Sequence, residues 1–437
     1  MRTLIQNVHV LTMDQTYTEY PNGFVLMNGN TIEAVGASGT PITVQVDKTI
    51  DGRGAIAMPG MVNTHTHIGM IPFRSLGDDT PDRLTRFLFP LEKACMTRSL
   101  AYHSGKYAIA EMQLAGITTF MDLYYFESDL ARAADEMGAR AILSETVLED
   151  ACDSPVPFGG LEYAERFIPE WLNHERITPA IAPHAPYTNT TESLQQARKI
   201  ADHYGVPLTI HVSEMDFEMK KYEKEYQQTP IAYLAACGIL NSNTVAAHCI
   251  FATPDDIALL AQHDVAVAHC IGANTKSAKG IAPIQAMQEA GLRIGLGTDG
   301  PSSGNTLDLF TQMRMVANFH KTQLKDRSAF PAREIVRLAT MGGAEALGMA
   351  ETIGSLEPGK KADLLLIETE SVNMFPLFDP YATIVYSAQA ANVQAVWIDG
   401  QPVVQEKSLV KIPLATLRQN LSSEMTDFRA TASTFSK

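Results

Sequence analysis

The stretch Pro59-Gly60-Met61-Val62-Asn63-Thr64-His65-Thr66-His67 is a short apolar strand that ends in two histidines one residue apart. On a β-strand, residues i and i+2 point to the same face. Both imidazoles can therefore reach one point, and neutral imidazole is the commonest protein ligand for a transition metal. Alone, such a pair also fits two packed core histidines. What the rest of the chain brings to the same place decides between these readings.

Downstream of this stretch, short apolar strands alternate with amphipathic helical segments. Eight strands are expected: Met61 to His65, Thr118 to Leu123, Ala141 to Thr146, Thr178 to Ala182, Leu208 to Val212, Thr244 to Ala247, Val265 to Ala268 and Arg293 to Gly297. The intervening helices have recognisable starts. Thr253-Pro254-Asp255-Asp256 supplies an N-cap, a proline at the first helical position and acids in the first turn. Eight βα units predict an α/β protein with a (β/α)8 TIM barrel over residues 58–357. A doubly wound open sheet fits less well, because no glycine-rich phosphate loop follows the first strand. Residues 1–57 and 358–437 read instead as short strands with turn signals, among them Asn28-Gly29 and Asp399-Gly400.

The strand ends carry the chemistry. The first ends in His65 and His67, the fourth in His184 and the fifth in His211, with Glu214 three residues on. The sixth ends in His248, the seventh in His269 and the eighth in Asp299. In a barrel these ends converge on one mouth, where active sites of this architecture lie. Six of the chain's twelve histidines fall at such ends, a concentration that chance placement does not explain. His269 reads as a floor residue that buttresses the others. His9, His103, His174, His203, His263 and His320 lie away from the strand ends and read as surface or packing residues.

Composition narrows the partners. The chain has 437 residues, is 45% hydrophobic and carries a net charge of -15. An acidic chain is a poor polyanion binder, so nucleic acid is not expected. No stretch approaches the roughly 20 apolar residues of a membrane helix, and the first residues lack a signal-peptide core. The five cysteines, Cys95, Cys152, Cys237, Cys249 and Cys270, have no tight spacing. Neither a disulfide framework nor a zinc knuckle is indicated, and a reducing cytoplasm is the expected location.

Three imidazoles and a carboxylate, His65, His67, His211 and Asp299, suit one divalent ion with room for water. Such an ion lowers the pKa of bound water from near 16 to roughly 7. Zn2+ is expected, although Fe2+ and Mn2+ suit the same donors. Asp299 can accept the water proton. His248 is placed to orient the attacking oxygen, and Glu214 to shuttle a proton to a ring nitrogen or leaving group.

These motifs together resemble the amidohydrolase superfamily. The resemblance rests on Pro59 to His67, Pro183-His-Ala-Pro-Tyr187, Ile210-His-Val-Ser-Glu214, Ala246-Ala-His-Cys249, Gly297-Thr-Asp-Gly300 and Gly354-Ser-Leu-Glu-Pro-Gly-Lys-Lys-Ala-Asp363, which span nearly the whole chain. It implies a small β-sandwich built from both termini, residues 1–57 and 358–437. It also implies the metal set and acid/base groups named above, and a homodimer or homotetramer. The end of strand four, Ile181-Ala-Pro-His-Ala-Pro, lacks the lysine that bridges two metals in binuclear barrels of this kind. Within the superfamily the chain looks like the branch of methylthioadenosine/S-adenosylhomocysteine deaminases and triazine chlorohydrolases. That branch implies substrate contacts from Glu92 (ribose hydroxyls), His184 (base or sugar) and Ser303.

The chain departs from this pattern where homocysteine-binding members carry two arginines for the substrate carboxylate. The corresponding positions are Glu145 and Leu161, in a region that also holds Glu149, Asp150 and Asp153. Glu145 is expected at the pocket, where these acids would repel a carboxylate and favour methylthioadenosine, adenosine or another amino-heterocycle. The segment His269 to Lys276 also departs from the branch's usual His-Asn-Pro pattern. The expected activity is a metal-dependent deaminase that releases ammonia from a small heterocyclic substrate. The alternatives are a hydrolase of another leaving group on a triazine, or an inactive scaffold. Scaffolds typically lose metal ligands, and none is lost here.

Overall fold

The computed structural model describes residues 1–435. One sheet has eight strands hydrogen-bonded in chain order. They are β1 (Met61–Thr66), β2 (Ile117–Tyr124), β3 (Arg140–Val147), β4 (Ile177–Pro183), β5 (Leu208–Val212), β6 (Thr244–His248), β7 (Ala266–His269) and β8 (Ile294–Leu296). The pairings from β3 to β8 are parallel. The expected strand positions hold to within two residues at each end. Just past β8, the Asp299 N–H donates to the His65 carbonyl at 3.0 Å, which brings the last strand end beside the first. The sheet is thus a nearly closed (β/α)8 barrel. Its strands are buried on both faces, which is why they read as apolar runs rather than as alternating ones. The helix at Pro254–Gln262 starts as expected, with the Thr253 hydroxyl accepting the Asp256 N–H at 3.2 Å.

A second sheet of nine strands draws on both ends of the chain. Leu364–Ile367 pairs antiparallel with Ile56–Pro59 and joins the two contributions. Ile5, Val25, Met27, Leu364, Leu366 and Trp397 share one core. The Ile32 N–H donates to the Lys360 carbonyl at 2.8 Å, and the Ala362 N–H to Asn30 at 2.9 Å. These bonds curl the sheet around that core. Asp399 and Gly400 both have positive φ (53° and 71°), the conformation an Asp-Gly hairpin requires.

By contact density the chain forms two compact units. One gathers Met1–Asn63, Ala110–Thr119 and Asp308–Pro413; the other gathers Thr64–Ile109, Phe120–Leu307 and the chain from Leu414 onward. These limits differ from the boundaries at 57/58 and 357/358 drawn from strand content. Compactness follows contacts instead. In the second unit the C-terminal helix Thr426–Phe435 packs on the helix Phe89–Cys95, and Phe428 meets Phe73 edge-on at 4.9 Å. Among the described residues no helix is long and apolar enough to cross a membrane.

Candidate active site

Every group of the site comes from the C-terminal rim of the barrel, within the second unit. His65 and His67 leave the end of β1 on the same side, and His211 meets them from β5. The His211 Nε2 lies 3.2 Å from that of His65 and 3.4 Å from that of His67. Three nitrogens around one tetrahedral zinc at 2.0–2.1 Å are separated by about 3.3–3.4 Å. Burial and the neighbouring imidazoles push the His65 and His211 rings well below their ordinary pKa, so these rings are neutral. The Nδ1 atoms are turned outward: that of His67 donates to the Leu123 carbonyl at 2.5 Å and that of His211 to the His184 carbonyl at 2.6 Å. Such outer bonds fix the tautomer and aim the Nε2 lone pair inward. Converging lone pairs repel one another unless a cation lies between them, so the donor set fits a divalent ion.

Asp299 stands beside the three rings, with Oδ1 3.2 Å from His67 Nε2 and 4.0 Å from His65 Nε2. Burial works against its charge, but the hydrogen bond and the charge of His67 outweigh burial and hold the carboxyl well below the usual range. Its backbone is left-handed, as are those of Ser213 and His248 at the ends of β5 and β6. Non-glycine residues in that region are strained and persist only where surrounding bonds hold them. Here the Asp299 carbonyl accepts from the hydroxyls of Thr66 (3.2 Å) and Thr298 (2.9 Å).

Glu214 and His248 face this cluster. The His248 Nε2 is 3.7 Å from Glu214 Oε1 and 4.0 Å from Asp299 Oδ2. Its Nδ1 is engaged by Asn274 Oδ1 at 2.8 Å, which turns Nε2 to the centre. Glu214 is fastened from both ends. The Glu218 carboxylate accepts the N–H groups of Ser213 (3.1 Å) and Glu214 (3.0 Å), and the Lys279 ammonium holds the Glu214 side chain at 2.5 Å. Burial alone would raise the Glu214 pKa, but His248 and Lys279 bring it down to about 2.

These groups open onto a cavity of about 740 Å³, within the range of small-molecule sites. Glu92, His184 and Ser303 lie on its wall. Glu92 sits on the helix Phe89–Cys95 and accepts the Tyr124 hydroxyl at 2.7 Å; burial pushes its carboxyl up to about 7. Burial also holds the His184 ring down at about 4, and its Nδ1 meets the Thr188 hydroxyl at 3.1 Å. His269 is fully buried and does not line the cavity.

Glu145 corrects the sequence expectation. It does not line the cavity. Neighbours on a strand face opposite ways, and in β3 it is Thr146 that faces the cavity. The Glu145 carboxyl instead accepts the Glu127 N–H at 3.2 Å, and burial and the neighbouring Asp153 and Glu127 push its pKa well above the usual range. Asp150 pairs with Lys93, and neither Glu149 nor Leu161 reaches the wall. Repulsion of a substrate carboxylate by this loop therefore has no structural basis. Asn274, Glu218 and Lys279 escaped the sequence reading. Asn274 lies inside the segment His269 to Lys276 that stood out as a departure. Lys279 had no signal, being a lone lysine in a loop.

Residues 56–403 match the Amidohydrolase family model, and the chain belongs to this family. Among curated relatives, a 5-methylthioadenosine/S-adenosylhomocysteine deaminase of Syntrophobacter fumaroxidans is 37% identical over 411 residues, 93% of this chain and 94% of that protein. A 5'-deoxyadenosine deaminase of Methanosphaera stadtmanae is 36% identical over 392 residues, 89% and 91% of the two chains. Among solved structures, an adenosine deaminase of Xanthomonas campestris with bound zinc superposes with a TM-score of 0.94 at 30% identity, covering 98% of both chains.

Proposed function

We propose that the protein is a divalent-metal-dependent deaminase of an adenosine-like nucleoside, such as methylthioadenosine or adenosine, or of a related amino-heterocycle. Water replaces the exocyclic amine, the ring carbon gains an oxo group and ammonia leaves. The observation that carries this reading is the convergence of His65, His67 and His211 with an ionised Asp299, opposite Glu214 and His248, at one cavity. Relatives named as deaminases support it.

His65, His67, His211 and Asp299 would hold the ion, with zinc the proposed metal. When bound, it supplies Lewis acidity that makes water nucleophilic at neutral pH. Asp299 takes the proton of the attacking water. Glu214, ionised at rest, takes up the second proton of the attacking water and shuttles it to a bare ring nitrogen beside the reacting carbon or to the departing amine, which leaves as ammonia. His248, steadied by Asn274, presents Nε2 to the attacking oxygen. Glu92 and His184 contact the sugar or base, and Ser303 closes the far side. A homodimer or homotetramer in the cytoplasm completes the proposal.

The test is ammonia release across adenosine, methylthioadenosine, S-adenosylhomocysteine, guanine, cytosine and aminotriazines, before and after chelation. Activity on an amino-heterocycle that chelation removes and zinc restores is expected. Silence on every amine with one metal bound per chain would overturn the reading.

A further inference from the structure

Lys279 is delivered to the cavity by an unusual turn. It follows the short helix Ile271–Lys276, between Ala278 and Gly280, which both have positive φ (54° and 135°), and its N–H donates to the Asn274 carbonyl at 3.0 Å. The side chain is 23% exposed, on the cavity wall, with its ammonium 2.5 Å from Glu214 Oε1. An ammonium has three donors and no acceptor. One donor meets Glu214, which leaves donors for a ligand. Glu214 has the reverse character: an ionised carboxylate only accepts. Side by side they offer an acceptor and a donor at the spacing of two adjacent positions on a heterocycle's edge. The complement of that pair is a ring N–H next to a carbonyl, a lactam edge.

We propose that Lys279 and Glu214 together select an amino-heterocycle in which the ring nitrogen beside the amine-bearing carbon is flanked on its other side by an oxo carbon. This rests on the deaminase reading above, in which Glu214 addresses that ring nitrogen. The class includes 6-amino-2-oxopurines, whose 2-oxo form carries that N–H. In adenine the same position is a C–H, which offers Lys279 nothing and leaves its charge facing an apolar edge. A site built around a hydrogen bond discriminates strongly against the analogue that lacks the partner.

The experiment compares 6-amino-2-oxopurine riboside (isoguanosine) with adenosine, which lacks the 2-oxo group and the N1 hydrogen that accompanies it, on zinc-loaded protein and on its Lys279→Met and Lys279→Arg variants. The wild type is expected to show a kcat/KM at least tenfold higher on isoguanosine. In Lys279→Met the ratio of the two kcat/KM values should fall tenfold or more, and in Lys279→Arg most of it should return. Calorimetric binding of the amine-free purine-2-one riboside and purine riboside should show the same preference and the same loss, without turnover. Equal or better use of adenosine by the wild type, or an equal drop on both substrates in Lys279→Met, would overturn the inference. The second result would reduce Lys279 to holding Glu214 in place. Ammonia from adenosine alone defeats this inference and leaves the deaminase standing; ammonia from neither defeats both.

Discussion

Two groups of buried carboxyls lie close together in the second unit and hold their protons in opposite ways. At the barrel mouth, Asp299 and Glu214 face imidazoles and an ammonium and stay ionised, Glu214 with its pKa brought down to about 2. Behind the wall, Asp122, Glu127, Glu145 and Asp153 face one another. Burial raises the Asp122 pKa to about 7, and burial and the neighbouring acids push Glu127 and Glu145 well above the carboxylate range. An oxygen of each of the four, among them Glu127 Oε2 and Glu145 Oε1, is buried with no hydrogen-bond partner. Burial is common to both groups, so the partner decides the charge. Only the first group is held well below the carboxylate range and opens onto the cavity.

The largest effect should come from breaking the mouth cluster. His211→Ala and Asp299→Ala are each expected to abolish turnover, with bound metal by elemental analysis falling well below one per chain. Full activity in either would remove that residue from the metal site. Glu214→Gln keeps the shape and the anchoring by Glu218 but loses the titrating oxygen. Its kcat should drop by about 10²–10⁴-fold while metal content is unchanged. A small effect on kcat with a large one on KM would make Glu214 a binding group only.

Glu92 stands between the two groups, because burial rather than a neighbouring acid sets its value of about 7. Below that pH it is a neutral acid; above it, a carboxylate that can accept sugar hydroxyls. The KM for a nucleoside should therefore fall as pH rises through about 7. The KM for the corresponding free base should not follow, and Glu92→Gln should flatten the nucleoside curve. Identical profiles for nucleoside and base would take Glu92 off the sugar.

The smallest effect is on stability. Glu145 keeps its proton when folded, whereas an unfolded glutamate releases it near pH 4.3, about the model-peptide value. Folding stability from this group is complete below about pH 4.3 and declines as pH rises toward the raised folded value. Glu145→Gln can still accept the Glu127 N–H and donate to Asp153, and it has no proton to lose. Its melting temperature should equal that of the wild type at pH 5 and exceed it by a few degrees at pH 8.5. Parallel melting curves across that range would show that Glu145 does not keep its proton in the fold.

The strands, their order and the residues at their ends were legible because each rests on local pattern. Apolar runs mark parallel strands, and in a barrel the end of every strand reaches the same rim. His65, His67, His211, His248 and Asp299 could therefore be gathered from the sequence alone, and Glu92 and Ser303 came with the family resemblance. Only the tertiary structure settled which way Glu145 faces. One step along β3 separates the cavity from the layer behind it, and alignment with an arginine position says nothing of that direction. Only the tertiary structure brought Lys279 to Glu214, 65 residues away in the chain. That meeting depends on two separate loops folding over the same rim, and loop paths leave no periodic trace in sequence.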